Sequence, residues 1–113
     1  MAVKNSVQAI ALTSIDSATF TGAYQVINAA GLTKNCFMIR LTNNSNKDIT
    51  VSYNGTVDHD FVKAGTFIQL PFQENAQPNN LIANMSMGTI VYVRGAAGAG
   101  LVYLAGYYQP SLV

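Results

Sequence analysis

Short runs in which apolar and polar residues alternate recur along this chain, and residues that favour turns separate them. Successive side chains of a β-strand point to opposite faces of a sheet, so the alternation predicts strands with one buried face. The firmest run is residues 36–42, in which the odd-numbered side chains from Phe37 to Leu41 are expected to face the core. No stretch longer than ten residues shows a clean helical spacing of 3.6, although residues 14–20 and 75–85 leave room for a turn of helix. The chain is therefore predicted to be all-β.

The alternating segments predict about eight short antiparallel strands. Short strands at this spacing, without helices between them, favour two packed sheets, so the sequence predicts a single-domain β-sandwich that is jelly-roll-like. The domain is expected to span residues 1–113, with a flexible N-terminal arm at 1–6, an exposed loop at 73–80 and a C-terminal tail at 109–113. The predicted strands lie at residues 7–12, 20–27, 36–42, 49–53, 61–62, 66–72, 81–85, 89–94 and 101–108.

Turn-forming residues predict how neighbouring strands connect. Asn and Asp tolerate left-handed backbone, so the polar segment 43–48 is expected to turn the chain back at residues 49–53 and form a hairpin. A second hairpin is expected where the glycine-rich segment 95–100 joins the last two predicted strands. Pro71 lacks the N–H group of a sheet ladder, so the end of its strand is expected at a sheet edge.

Charged side chains are scarce. Six Lys or Arg and five Asp or Glu make up 11 of 113 residues, about 10%, whereas soluble domains carry about 25%. Asn, Gln, Ser and Thr, 33 in all, take over the polar role. A neutral surface of this kind is typical of a face that another protein covers. The six basic residues are scattered singly, so nucleic-acid binding is not expected.

Other function classes find little support in the sequence. No apolar run approaches the ~18 residues of a membrane-spanning helix, and the first twelve residues lack the pattern of a secretory signal. Cys36 is the only cysteine, which excludes an internal disulfide and favours a buried, apolar role for its thiol. No phosphate-binding loop, nucleophile elbow or cofactor motif occurs, so neither a cofactor nor an enzymatic activity is expected.

One cluster, Asp58-His59-Asp60, combines residue types that can do chemistry. In an extended segment Asp58 and Asp60 share one side while His59 points to the other, which is poor geometry for a single metal site. The favoured interpretation is a turn that leads into a strand, with the carboxylates accepting hydrogen bonds from backbone N–H groups. A weak divalent-cation site at Asp58 and Asp60 is the alternative.

Four tyrosines near the C-terminus are the candidate contact residues. Tyr103, Tyr107 and Tyr108 lie on the last predicted strand, and Tyr92 lies on the strand expected to pair with it. Tyrosine suits subunit interfaces because its ring packs while its hydroxyl stays hydrated. We expect these four residues to form an interface. Packing within the domain and a platform that stacks sugars or bases are the alternatives.

The order of several segments resembles small structural proteins of tailed bacteriophage virions. The resemblance spans about residues 39–109 and rests on a polar Asn/Ser turn, S-Y-N-G, D-H-D, a strand, a proline-bearing loop, V-Y-V-R-G and a closing G-Y-Y-Q. It implies a β-sandwich component of the virion that acts by binding, such as a capsid decoration (cement) protein or a head, neck or tail accessory protein. Proteins of this sort commonly form symmetric oligomers, often trimers, that bridge capsid subunits.

The leading hypothesis is therefore a non-enzymatic structural protein, located in the virion, that stabilises a capsid. It is expected to form a homo-oligomer, with a trimer favoured, and to contact the major capsid protein or other virion proteins. The alternative is a glycan-binding jelly-roll module with an accessory or host-attachment role, which would use exposed tyrosines. Neither hypothesis involves a membrane.

Overall fold

Alternating apolar and polar side chains form two antiparallel β-sheets that pack against each other in this computed structural model, which describes residues 8–71 and 85–108. The predicted single-domain all-β sandwich is confirmed. The predicted arm, the loop at 73–80, the tail and most of the predicted strand at 81–85 lie outside the described residues. The strands are β1 (Gln8–Ala9), β2 (Thr13–Asp16), β3 (Gln25–Val26), β4 (Met38–Ser45), β5 (Ile49–Ser52), β6 (Asp60–Val62), β7 (Phe67–Pro71), β8 (Tyr92–Arg94) and β9 (Gly100–Tyr108).

The two sheets have the strand order of a jelly roll. In the larger sheet, β9 lies between β4 and an edge formed by β1 and β2, and β7 pairs with the other side of β4. The smaller sheet has the order β3-β8-β5-β6. Most connections therefore carry the chain from one sheet to the other, so strands that follow each other in sequence mostly lie in different sheets.

Both predicted hairpins are wrong for this reason. β4 and β5 lie in different sheets, and so do β8 and β9 on either side of the glycine-rich connection. The two connections lie side by side. The Asn46 N–H donates to the Ala99 carbonyl over 3.1 Å, and the Ala99 N–H donates to Asn46 Oδ1 over 2.9 Å. An alternating pattern identifies the buried face of a strand, but packing selects the strand beside it.

Several strands differ from their predicted bounds. β4 continues through Ser45, so residues 43–45, predicted to begin a turn, belong to the strand. The segment 20–27 contributes only the two residues of β3, and the segment 7–12 only the two residues of β1. Apolar side chains in these segments enter the core from irregular backbone, which an alternating pattern does not distinguish from a strand.

Two smaller predictions are confirmed. β7 ends at Pro71 and pairs only with β4 in the described part of the chain, which places it at the edge of the larger sheet. The segment 14–20 includes one turn of 3-10 helix at Ser17–Thr19. Asp16 begins this turn, and its Oδ1 atom accepts a hydrogen bond from a backbone N–H.

The core lies between the sheets and takes inward side chains from both. Ile39 and Leu41 of the larger sheet belong to the same apolar cluster as Val51 and Val93 of the smaller sheet, and each is at most 2% exposed. Cys36 is fully buried in this cluster, which confirms its predicted apolar role. Burial raises the pKa of its thiol, because the charged thiolate is poorly solvated there.

Asn43 is the principal polar residue of the core. Its Nδ2 atom donates to the carbonyls of Lys47 and Val62, over 2.8 and 3.1 Å. Its Oδ1 atom accepts from the backbone N–H and the hydroxyl of Ser45, over 3.1 and 2.5 Å. The fully buried amide is thereby satisfied, and it joins the end of β4 to the crossover that follows and to β6.

Candidate functional site

The outer face of the larger sheet is broad and almost uncharged. Every second residue of β2, β4, β7 and β9 contributes to it, because the residues between them face the core. Only Asp16 and Arg40 carry a charge among these positions. We call this surface the larger sheet's outer face, and its residues are Ser14, Asp16, Met38, Arg40, Thr42, Asn44, Phe67, Gln69, Pro71, Leu101, Tyr103, Ala105 and Tyr107.

Strand register aligns these residues in rows across the sheet. Tyr103 on β9 lies between Ser14 on β2 and Thr42 on β4. Phe67 continues the same row on β7, where it is 58% exposed. Aromatic rings and short neutral side chains thus lie side by side on one open surface, which is the composition expected of a protein contact.

Arg40 lies within this neutral face. It donates a hydrogen bond to the Tyr107 hydroxyl over 3.1 Å, and its guanidinium carbon lies 5.9 Å from the centroid of that ring. Arg40 makes no salt bridge with any described residue. A guanidinium has five N–H donors, so most of them remain available to a partner.

The four tyrosines predicted as interface residues do not lie on one surface. Tyr103 and Tyr107 share the larger sheet's outer face, since they are four residues apart on β9. Tyr108, the next residue and the last of β9, points to the opposite side of the larger sheet. Its hydroxyl donates to Gln8 Oε1 over 3.3 Å. Tyr92 lies in the smaller sheet, because β8 and β9 are not a hairpin. An interface role for each tyrosine stays a prediction.

Tyr24, Asp58, Tyr92 and Arg94 form a second cluster, on the outer face of the smaller sheet, which we call the Tyr24 cluster. The two rings meet edge to face, with centroids 6.4 Å apart and planes at 67°. Arg94 binds Asp58 over 2.6 Å and lies 5.0 Å from the Tyr24 ring centroid. The Tyr24 hydroxyl also donates to Asp58. These contacts attach the loop that carries Asp58 to β8.

Hydrogen bonding within the Tyr24 cluster shifts two pKa values. The bond from Tyr24 holds the pKa of the Asp58 carboxyl below its usual range, and Arg94 acts in the same direction. The same bond raises the pKa of Tyr24, because the carboxylate favours the protonated phenol. At neutral pH an ionised Asp58 therefore accepts from a neutral Tyr24.

The Asp58-His59-Asp60 segment leads into β6, but its carboxylates do not bind the backbone N–H groups that were predicted. Asp58 belongs to the Tyr24 cluster, whereas Asp60 accepts from the Tyr53 hydroxyl over 2.6 Å. His59 Nδ1 accepts from the Tyr53 N–H over 3.0 Å, and the two rings stack with centroids 5.5 Å apart. The prediction of backbone partners is wrong because tyrosine hydroxyls and a guanidinium reach the carboxylates instead.

The cation site considered at Asp58 and Asp60 gains no support from this geometry. Each carboxylate binds a different hydroxyl, and the described residues contain no group of three or more side chains able to hold a metal ion. Burial and the bond to Asp60 raise the pKa of Tyr53, so its hydroxyl remains a donor. Within the described residues no helix is both long and apolar enough to cross a membrane.

Comparisons of the chain with protein-family models, with curated protein sequences and with solved structures found no match. Function is therefore proposed from the surfaces described above.

The sequence did not identify three of the contact residues, which are Tyr24, Arg40 and Phe67. Tyr24 and Asp58 are 34 residues apart, and no local pattern links them. The outward direction of Arg40 follows from alternation, but its contact with Tyr107 depends on the register of β4 and β9. Phe67 occupies an outward strand position that the alternation of β7 could have indicated.

Proposed function

We propose that this protein is a non-enzymatic structural component of a phage virion, which decorates and stabilises the capsid by binding other virion proteins. The observation that carries the proposal is the larger sheet's outer face, a neutral surface with exposed Phe67 and the rings of Tyr103 and Tyr107. Aromatic residues and Arg dominate the energetic centres of protein interfaces, and this face combines both.

The dimensions of the face suit a repeated contact. Four strands about 4.8 Å apart, which together contain 26 residues of about 3.3 Å each, give an area of roughly 400 Å². A stable interface buries about 800 Å² on each partner, so this face supplies roughly half of one. Many such contacts on one shell reinforce each other, since every bound copy holds its neighbours at a high effective concentration.

The resemblance to phage virion proteins supplies the location, and the scarcity of charge agrees with it. A protein repeated on a shell is held by extended neutral contacts, and an assembly covers the surface that an isolated chain would expose to solvent. The homo-oligomer implied by the resemblance, with a trimer favoured, belongs to the same proposal.

Binding to phage particles tests the proposal with a matched pair of variants. Phe67 and Phe61 are 58% and 59% exposed, and they lie on the outer faces of the larger and the smaller sheet respectively. We expect Phe67→Ser to weaken cosedimentation with particles stripped of this protein by about tenfold or more, because a buried aromatic contact is lost. Phe61→Ser is expected to bind like the wild type.

Equal binding by the two variants would remove the larger sheet's outer face as the contact surface. A wild-type protein that binds no particle would contradict the virion role. The melting temperature of each variant, measured in parallel, separates a loss of contact from a loss of folding.

The glycan-binding alternative stays a prediction. It would use exposed tyrosines, with a cation at Asp58 and Asp60 as an added element, and those two carboxylates bind separate partners in the described structure.

A further inference from the structure

The two charges on the larger sheet's outer face lie symmetrically about Tyr103. Asp16 pairs with Leu101, and Arg40 pairs with Ala105, so the two charged residues are displaced from Tyr103 by two residues in opposite directions. They also lie on the two strands that flank β9. From strand spacing and rise, each charge lies roughly 8 Å from Tyr103, on opposite sides of it.

This placement is self-complementary. Consider a twofold axis that lies in the contact plane, passes over Tyr103 and is perpendicular to the line from Arg40 to Asp16. This axis places Arg40 of each copy opposite Asp16 of the other copy. A twofold interface uses the same patch on both subunits, so such a patch must carry both members of every pair. We propose that the larger sheet's outer face binds a second copy of this chain, with Arg40 of each copy paired with Asp16 of the other and the two Tyr103 rings meeting at the axis. The inference rests on the proposed function only in taking this face as the contact surface. It names a second copy of the chain as the virion protein that the face binds, and it replaces the trimer that the resemblance implies by a twofold pair.

Both charged groups have capacity for this pairing. Arg40 makes no salt bridge with any described residue, and its described hydrogen bond goes to the Tyr107 hydroxyl. Asp16 uses Oδ1 to accept from the Ala18 N–H, which leaves its second carboxylate oxygen for a partner. A charge buried by a neutral partner surface is strongly destabilising, whereas a paired one is tolerated. When a second copy of the chain covers this face, Arg40 and Asp16 are both paired.

The area of the face sets the strength of the contact. Two copies bury roughly 800 Å² in total, which is below the ~1,200 Å² of standard stable complexes. The pair is therefore weak in solution, and its association is measured at protein concentrations of about 10–500 µM. The rest of the face is uncharged, so nothing on it repels the second copy.

Charge reversal tests the pairing. Arg40→Asp gives a chain with two acidic residues on the face, and Asp16→Arg gives a chain with two basic ones. In sedimentation equilibrium we expect each variant alone to self-associate at least about a hundredfold more weakly than the wild type, because two like-charge contacts replace two pairs. An equimolar mixture of the two variants is expected to form a dimer of about 24 kDa, twice the 12.1 kDa chain.

Restored association in the mixture shows that both variants are folded, so no separate folding control decides the result. Lys63→Asp, a reversal at an exposed position between β6 and β7 that does not belong to the face, is expected to behave like the wild type. A wild type that stays monomeric at 500 µM, a trimer of about 36 kDa (three chains of 12.1 kDa), or a mixture that fails to associate would overturn the pairing. If particle binding still depends on Phe67 in that case, the proposed function stands and only the twofold contact is removed.

Discussion

Asn43 shows how one buried amide can connect three parts of a jelly roll. Its side chain satisfies the carbonyl of Val62 on β6 and the carbonyl of Lys47 in the crossover, while its oxygen accepts from Ser45. Its backbone carbonyl also accepts from the Gly65 N–H over 2.9 Å. An apolar residue of the same size could not replace these bonds, since the Val62 carbonyl would lose this donor and the Ser45 N–H would lose this acceptor.

Replacing Asn43 by Ala is expected to lower the free energy of unfolding by about 2–4 kcal/mol, because the buried Val62 carbonyl loses this donor and the Ser45 N–H loses its side-chain acceptor. Urea denaturation followed by circular dichroism measures the change. Asn44→Ala is the matched control, since Asn44 is exposed on the same strand, and it should change stability by less than about 0.5 kcal/mol. Similar losses in the two variants would mean that the buried amide network contributes little.

At the scale of elements, the loop between β5 and β6 contacts the smaller sheet through Gly55 and Asp58. Gly55 lies against the Tyr92 ring, where a Cβ atom would come within 3.0 Å of the ring. Asp58 then joins the loop to Tyr24 and Arg94. The loop thus covers part of the smaller sheet's outer face.

The attachment of this loop is expected to weaken in acid. The pKa of Asp58 is lowered in the folded protein, so its contribution is present above the unfolded value of about 3.9 and is lost as pH falls through the folded pKa. Asp58→Asn removes this dependence. The difference in melting temperature between wild type and Asp58→Asn should therefore be larger at about pH 5 than at about pH 2.

Tyr24→Phe is the companion variant for this measurement. It removes the hydrogen bond that lowers the Asp58 pKa most and keeps the pairing with Arg94, so it should retain only part of the acid dependence. A difference between wild type and Asp58→Asn that is the same at both pH values would show that the carboxylate does not stabilise the fold.

At the scale of the whole molecule, ion pairs contribute little to stability. Arg94 with Asp58 is the one salt bridge among the described residues, and both side chains are about two-fifths exposed, at 41% and 42%. Exposed pairs of this kind contribute little to stability and are screened by salt. The apolar cluster between the sheets and the buried hydrogen bonds therefore hold the domain together.

Salt is accordingly expected to have a small effect. Raising sodium chloride from about 0.05 to about 0.5 M should change the free energy of unfolding by less than about 0.5 kcal/mol, as measured by urea denaturation at each concentration. A destabilisation of about 2 kcal/mol or more would indicate that charge networks outside the described salt bridge hold the fold.

Most of the architecture follows from local sequence, and the pairing of strands does not. The alternation around Ile39 and Leu41 predicts a half-buried strand, and Pro71 predicts a sheet edge; both are confirmed. The hairpin predicted after Thr42 is wrong, because the polar residues 43–45 continue β4 and the chain then crosses to the other sheet. A run of polar residues by itself predicts a turn. Here the run continues the strand, because the buried Asn43 amide donates to the carbonyl of Val62, which is distant in sequence.

The candidate contact surface shows the same division. Local alternation determines that Arg40, Tyr103 and Tyr107 point away from the core, because side chains on a strand change face at every residue. Only the tertiary structure decides that Asp16 and Arg40 lie on opposite sides of Tyr103, since β2, β4 and β9 are far apart in sequence and become neighbours through the register of one sheet. The sequence alone therefore determined the fold class, the outward residues and the scarcity of charge. Packing of the two sheets decided which of those residues share a face, because strand partners in a jelly roll are chosen by long-range burial.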